Sequence, residues 1–294
     1  MTLLVISPDY ASHLLPLATL GAAWREAGER VVVATGQATD AIVRSFGFER
    51  AHLQLGRGSN PGVIRAEEQP AGEDDALRGF FDATRIGMVQ TLRFQAEARL
   101  TDLMWEPVAT ARAVQRVVAE VQPDAIVVDH LAFSARLALT AAGIPFADVV
   151  LGHPSALPVG GEVYGFPPEW PAAFAPGTAE LAELRELCDR VSASFTAEWN
   201  GALAELAPEV PPSRDAFAEH GDLLLYTYPA ELSAPERTAL LPPHRFLGSA
   251  VRDEAVDPEV EEWLASHADP YVYVSFGSFL SVRADVLARI AEAL

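Results

Sequence analysis

Strand-length apolar runs alternate with helical stretches along most of this chain. The runs are apolar at consecutive positions, not at every second one. Leu3-Leu4-Val5-Ile6, Arg30-Val31-Val32-Val33-Ala34-Thr35, Ala125-Ile126-Val127-Val128-Asp129 and Leu223-Leu224-Leu225-Tyr226 have this form. A strand apolar on both faces needs cover on both faces, and the intervening helices supply it. The fold class is therefore α/β, with a doubly wound parallel sheet. Two further strands read at Glu49 to Leu53 and from Pro145 through Val150. Half of the residues are apolar, enough for a packed core and too many for a disordered chain.

The first helix reads from near Pro16 to a stop at Gly28. A short helix capped by Thr39 or Asp40 closes at Gly47. Residues 54–75 form a long polar loop, and long loops inside regular patterns tend to carry function. A helical pattern runs from Ala76 to Gln122 with a break before Pro107. Another helix spans Leu131 to Ala142. Residues 152–176 form a second long loop rich in proline and aromatics. A helix follows from Ala179 to about Leu206. Periodicity fades from Thr227 to Asp257, which reads as an inter-domain linker. A short helix at Pro258 to His267, a strand at Tyr271 to Phe276 and a helix at Val282 to Leu294 complete the pattern. One strand and one helix cannot bury their apolar faces alone, so the expectation is a second domain that is incomplete here.

The net charge of −20, from 41 acidic and 21 basic residues, argues against nucleic acid or an anionic membrane surface as a partner, since both need a basic patch. No stretch reaches the ~18 apolar residues of a membrane span. The single cysteine, Cys188, permits no internal disulfide, reads as packing, and fits a reducing cytoplasm.

Several chemistries lack their signatures. The turn after the first strand is not G-x-G-x-x-G, and no G-x-x-x-x-G-K-[ST] phosphate loop is present. No spacing of His, Cys, Asp or Glu fits a metal site. Gly152-His153-Pro154-Ser155 is not a nucleophile elbow. What remains is a pair. His13 follows the first strand, and Asp129 ends the strand from Ala125. In a sheet of order 3-2-1-4-5 these strands are neighbours, ~4.8 Å apart, at the crevice where ligands bind. A carboxylate on one imidazole nitrogen fixes the tautomer and raises the basicity of the other. Each residue could instead cap a helix. Phe80, Phe81 and Trp105 are candidates to line an apolar pocket rather than the helix core. His153 is a further candidate, in a loop at a strand end. The remaining histidines, 52, 130, 220, 244 and 267, read as exposed or structural.

The segment His13-Leu14-Leu15-Pro16-Leu17, followed by Gly28-Glu29-Arg30-Val31-Val32-Val33-Ala34-Thr35, resembles the N-terminus of glycosyltransferase family 1. That family pattern is a Gly-His near an Asn-Pro, then Gly-His-x-Val-x-x-x-Thr. Here Ser12 stands for the usual Gly and Leu15 for the common Asn, while His13 and Pro16 match. Pro123 to Pro145 resembles the family's Pro-Asp-x-x-x-x-Asp segment, with Asp129 on the supporting acid. Tyr226 to Leu232, then Phe246-Leu247-Gly248, resemble the exit from the acceptor domain. Tyr273-Val274-Ser275-Phe276-Gly277-Ser278 resembles the first strand and turn of the donor domain.

The resemblance implies the GT-B fold. It places a Rossmann-like acceptor-binding domain at 1–227, a linker and helix at 228–270, and the start of an incomplete second Rossmann-like donor domain at 271–294. It also implies an inverting transfer of sugar from a UDP- or dTDP-linked donor to a hydroxyl of an apolar, natural-product-like acceptor. His13 would be the base and Asp129 its support, with Gly277 and Ser278 on the donor diphosphate and no cofactor or metal. Phe80, Phe81, Trp105 and His153 would face the acceptor. The family's His-x-Gly nucleotide-sugar segment is absent, so the 294-residue chain is expected to be inactive alone. A non-catalytic acceptor-binding module, a split transferase with a separate donor-domain chain, and a homodimer stay open.

Overall fold

A computed structural model describes residues 1–62, 73–100, 103–252, 256–267, 269–277 and 283–294. The chain forms two compact units, Met1–Ala250 and Val251–Leu294.

The first unit is built on one parallel sheet. Its strands are β1 (Thr2–Ile6), β2 (Arg30–Thr35), β3 (Glu49–His52), β4 (Ala125–Asp129), β5 (Ala147–Val150), β6 (Leu223–Tyr226) and β7 (His244–Phe246). The spatial order is β3-β2-β1-β4-β5-β6-β7, so the direction of winding reverses between β1 and β4. Helix α1 (Ala11–Glu26) joins β1 to β2, and α2 (Asp40–Ser45) joins β2 to β3. Three helices, α3 (Glu73–Ile86), α4 (Met88–Arg99) and α5 (Pro107–Val121), lie between β3 and β4. Helix α6 (Phe133–Ala142) joins β4 to β5, α7 (Thr178–Leu206) precedes β6, and α8 (Pro235–Thr238) lies between β6 and β7.

Successive strand side chains point to opposite faces, and the core divides accordingly. Leu3, Val5, Val31, Val33 and Val127 pack with Leu14 and Leu17 of α1. Leu4, Ile6, Val32, Ile126 and Val128 pack with Ala111 and Val114 of α5 and Ala135 and Leu139 of α6. A further cluster joins α7 to α6 through Leu137, Val191, Phe195 and Trp199. Cys188 is buried in that cluster, and burial pushes its thiol up, away from the reactive thiolate.

Several boundaries differ from the sequence reading. Helix α1 opens at Ala11, not near Pro16, so His13 stands in its first turn. The start is fixed from outside: the Ala11 N–H donates to the Asn60 carbonyl at 2.7 Å, beside a Tyr10–Asn60 bridge. Pro16 then lies within the helix, where it removes one backbone donor. Gly28, with φ +80, ends the turn as its lack of a Cβ allows. The segment from Ala76 to Gln122 is three helices, because Gly87 and the residues before Pro107 interrupt it. Strand β6 is not the last of the sheet. The stretch read as a linker contains α8 and β7, and β7 pairs with β6 from Leu224↔His244 to Tyr226↔Phe246. A three-residue strand behind Pro242-Pro243 carries no periodic signal.

In the second unit, α9 (Pro258–Ser266) is capped by Asp257, whose carboxylate accepts the Glu259 N–H at 2.9 Å, and α10 spans Ala284–Ala293. The expected strand at Tyr271 to Phe276 is not formed. No described strand pairs with it, and Tyr271, Val272 and Tyr273 are exposed.

Candidate active site

The reversal point brings the ends of β1 and β4 together. Their register runs from Leu3↔Ala125 to Ile6↔Val128, which leaves Asp129 one step beyond the last pair. Past Ile6 the chain turns through Ser7, Pro8 and Asp9 into α1. Asp9 anchors this turn to the next loop: its carboxylate accepts the N–H groups of Ala38 (3.1 Å) and Thr39 (2.9 Å) and the Thr39 hydroxyl (2.8 Å).

His13 Nδ1 and Asp129 Oδ2 are 2.7 Å apart. The carboxylate is buried and the imidazole is 27% exposed. A carboxylate has no proton to give, so Nδ1 carries the hydrogen, and in the neutral ring Nε2 is the unprotonated acceptor. The second carboxylate oxygen, Oδ1, accepts the Leu131 N–H at 2.8 Å. Burial pulls the His13 pKa down, but the hydrogen bond and charge of Asp129 outweigh it and the net shift is upward. The pair thus has the hydrogen-bonded geometry and the raised basicity that a general base at a hydroxyl needs.

A cavity of about 280 Å³ opens against the pair, lined by His13, Asp129, Leu131, Leu151, His153 and Tyr164 among others. His153, Ser155 and Gly165 also line a second cavity of about 460 Å³, which Leu92, Phe166 and Pro167 make largely apolar. His153 Nδ1 accepts the Ser155 N–H at 3.1 Å, and its ring packs edge-on against Tyr228. Burial, then the nearby charge of Arg237, push the His153 pKa down.

The other predicted site residues fall elsewhere. Trp105 lines a third, more polar cavity of about 470 Å³ with Asp9, Tyr10, Gln37 and Gln54; Leu131 is shared by this cavity and that of His13. Phe80 and Phe81 of α3 pack edge-on against each other, and Phe80 against Phe94 of α4. They are not among the residues lining these three cavities. Gly277, in the second unit, is exposed with φ +66. Ser278 lies outside the described residues. Leu131, Leu151, Ser155 and Tyr164 were not singled out by the sequence reading. The proline-rich loop after β5 was legible as a loop, but which of its side chains turn inward was not.

No family model matches the chain, and no curated protein matches it. Its fold is that of the GT-B glycosyltransferases, an α/β architecture with a parallel sheet. Among solved structures, UGT89C1 of Arabidopsis thaliana complexed with UDP-L-rhamnose is similar over 100% of this chain and 62% of its own, at 16% identity and a TM-score of 0.51. The spinosyn forosaminyltransferase SpnP is similar over 90% of this chain and 54% of its own, at 15% identity and a TM-score of 0.49. The spinosyn rhamnosyltransferase SpnG with spinosyn aglycone is similar over 82% of this chain and 49% of its own, at 15% identity and a TM-score of 0.42. The chain thus spans about half the length of SpnG and SpnP.

Proposed function

We propose that this chain carries the acceptor side of a family 1 glycosyltransferase that moves a sugar from a nucleotide-sugar donor to a hydroxyl of an apolar small molecule. The observation that carries the reading is the 2.7 Å His13–Asp129 bond at the wall of a largely apolar cavity. The similarity to UGT89C1, solved with UDP-L-rhamnose, supports a nucleotide-sugar donor, and the apolar lining of the cavity supports an apolar acceptor. A nucleoside diphosphate sugar, UDP- or dTDP-linked, is the donor, and a hydroxylated natural product is the acceptor.

In this reading His13 Nε2 removes the acceptor proton as the hydroxyl oxygen attacks the anomeric carbon. The new carbon–oxygen bond forms as the bond to the diphosphate breaks, and the configuration inverts. Asp129 stabilises the imidazolium that results, as the carboxylate of a triad does. Gly277 and Ser278 belong to the donor side and are proposed to meet the diphosphate. His153, with the apolar residues around it, is proposed to hold the acceptor, and Trp105 to face it from the neighbouring cavity.

The test is His13→Ala, assayed for transfer and for acceptor binding. Turnover should fall by about 10²–10⁴-fold, the contribution of a general base, while acceptor affinity stays within a few-fold. Unchanged turnover would refute the proposal. An acceptor-binding module without transfer is a second reading. It is favoured by the placement of every lining residue of the His13 cavity within Met1–Ala250. Calorimetry of the chain with an apolar alcohol and with a nucleotide sugar separates the two, since the module binds only the first.

A further inference from the structure

Behind the His13–Asp129 pair lies a charge cluster that the proposed chemistry does not use. Asp148 sits within β5 and Arg136 in the first turn of α6, and both are 1% exposed or less. The Arg136 Nε lies 3.3 Å from Asp148 Oδ1. Asp148 Oδ2 accepts the Gly221 N–H at 2.7 Å. The guanidinium donates from Nη1 to the His130 carbonyl at 2.8 Å and from Nη2 to the Glu219 carbonyl. A buried ion pair is a poor device for stability, because apolar residues of similar volume do as well or better. What this pair does have is a fixed grip on one peptide group.

That group is the 130–131 peptide. Its carbonyl takes the Arg136 hydrogen bond, and its N–H donates to Asp129 Oδ1 at 2.8 Å. The peptide unit is planar, so fixing its carbonyl fixes the direction of its N–H. The N–H in turn orients the carboxylate whose other oxygen holds His13. Hydrogen bonds in such a series also polarise one another. The turn is closed by the Ala132 N–H on the Asp129 carbonyl (2.8 Å) and by the His130 N–H on the Val149 carbonyl (3.0 Å). The His130 ring is buried with its Nδ1 3.7 Å from Asp148, too far for a hydrogen bond.

We infer that Arg136, held by Asp148, is a positioning residue that sets the orientation of Asp129 and, through it, the imidazole of His13. The inference rests on the proposed role of the pair only for its purpose; the geometry is tested without any sugar transfer.

The experiment is an NMR titration of the His13 Cε1–H in this chain, with hydrogen exchange of the Leu131 amide. The titratable groups lining the cavity with His13 are Asp129, His130, His153 and Tyr164, and Tyr10 lies edge-on to the His13 ring at 6.0 Å. The key variant is Arg136→Met with Asp148→Leu, which removes both buried charges and keeps apolar volume. The pair is net neutral, so its loss changes the field at His13 little, and a changed titration reports geometry. In the folded double variant His13 should titrate lower than in the parent and close to its value in Asp129→Asn, and the Leu131 amide should exchange at least about tenfold faster. A folded double variant with both readouts as in the parent overturns the inference. If the double variant does not fold, Arg136→Lys serves, since one ammonium cannot reproduce the guanidinium fork. Parent-like titration and exchange there would overturn the inference equally. Full turnover in His13→Ala would instead remove the sugar-transfer reading and leave this result standing.

Discussion

At the residue scale, the His13–Asp129 bond couples protonation to stability and, on the proposed function, to rate. The raised His13 pKa means that the folded state binds a proton more tightly than the unfolded chain, whose imidazole titrates near 6.5. The stabilisation is fully present below 6.5 and is lost as the pH rises through the folded value. Asp129→Asn should abolish this component, so that the parent's stability advantage over the variant shrinks from acid to alkaline pH in urea titrations. On the proposed function transfer needs the neutral imidazole, so the rate should rise with pH through an apparent pKa above 6.5. Asp129→Asn should lower turnover by about 10²–10⁴-fold and move that limb to lower pH. His130 has the opposite sign. Burial, then the charge of Arg136, push its pKa down against the pull of Asp148 and Asp129. The unfolded chain therefore takes up this proton first as pH falls below 6.5, and His130 makes acid destabilising. A fit of stability against pH in which the parent and Asp129→Asn run parallel would contradict the first of these expectations.

At the element scale, the site depends on contacts made across long sequence separations. Asp9 satisfies the start of α2 from 30 residues away, where Thr39 or Asp40 was read as the cap; Thr39 does stand at the N-cap position, but its hydroxyl donates to Asp9 and caps no helix N–H. Asp9→Ala should cost about 1–3 kcal/mol, the range for a lost helix cap plus an unsatisfied buried donor, measured as a lower urea midpoint at unchanged slope. An unchanged midpoint would mean that the carboxylate is replaceable by water. The same distinction explains what was legible in the sequence. Strands β1, β2, β4 and β6 were readable because burial on both faces leaves runs of consecutive apolar residues. The closeness of His13 and Asp129 was readable because strand order follows from the winding rule. The start of α1 was not, since it is set by Asn60 rather than by any nearby cap. Nor was β7, which is too short for a period and is defined only by its partner β6. Asp148 interrupts an apolar run, and its partner Arg136 lies 12 residues away on another element, so its buried role emerges only once α6 packs on β5.

At the scale of the whole molecule, the first unit contains everything its sheet requires. Strand β7 completes the edge beside β6, and Tyr226 and Phe246 stack at 5.2 Å to close the small cluster there. The His13 cavity is lined from this unit alone. The second unit has a different character. Of the large apolar side chains of α9, Val260, Trp263 and Leu264 are 51%, 47% and 39% exposed, and no described residue of that helix is buried. A segment with so little buried surface opens at low free energy, and protease attack follows such opening. Limited proteolysis should therefore cut within 251–294 while Met1–Ala250 persists as a stable product. Mass spectrometry of the digest identifies the cut, and NMR of the surviving piece should show His13 titrating as in the parent chain. Calorimetry should show the same affinity for an apolar alcohol before and after the cut, because no residue lost from the chain lines the cavity. Loss of that affinity, or early cleavage inside the sheet, would mean that residues 251–294 are needed to hold the first unit and its cavity together.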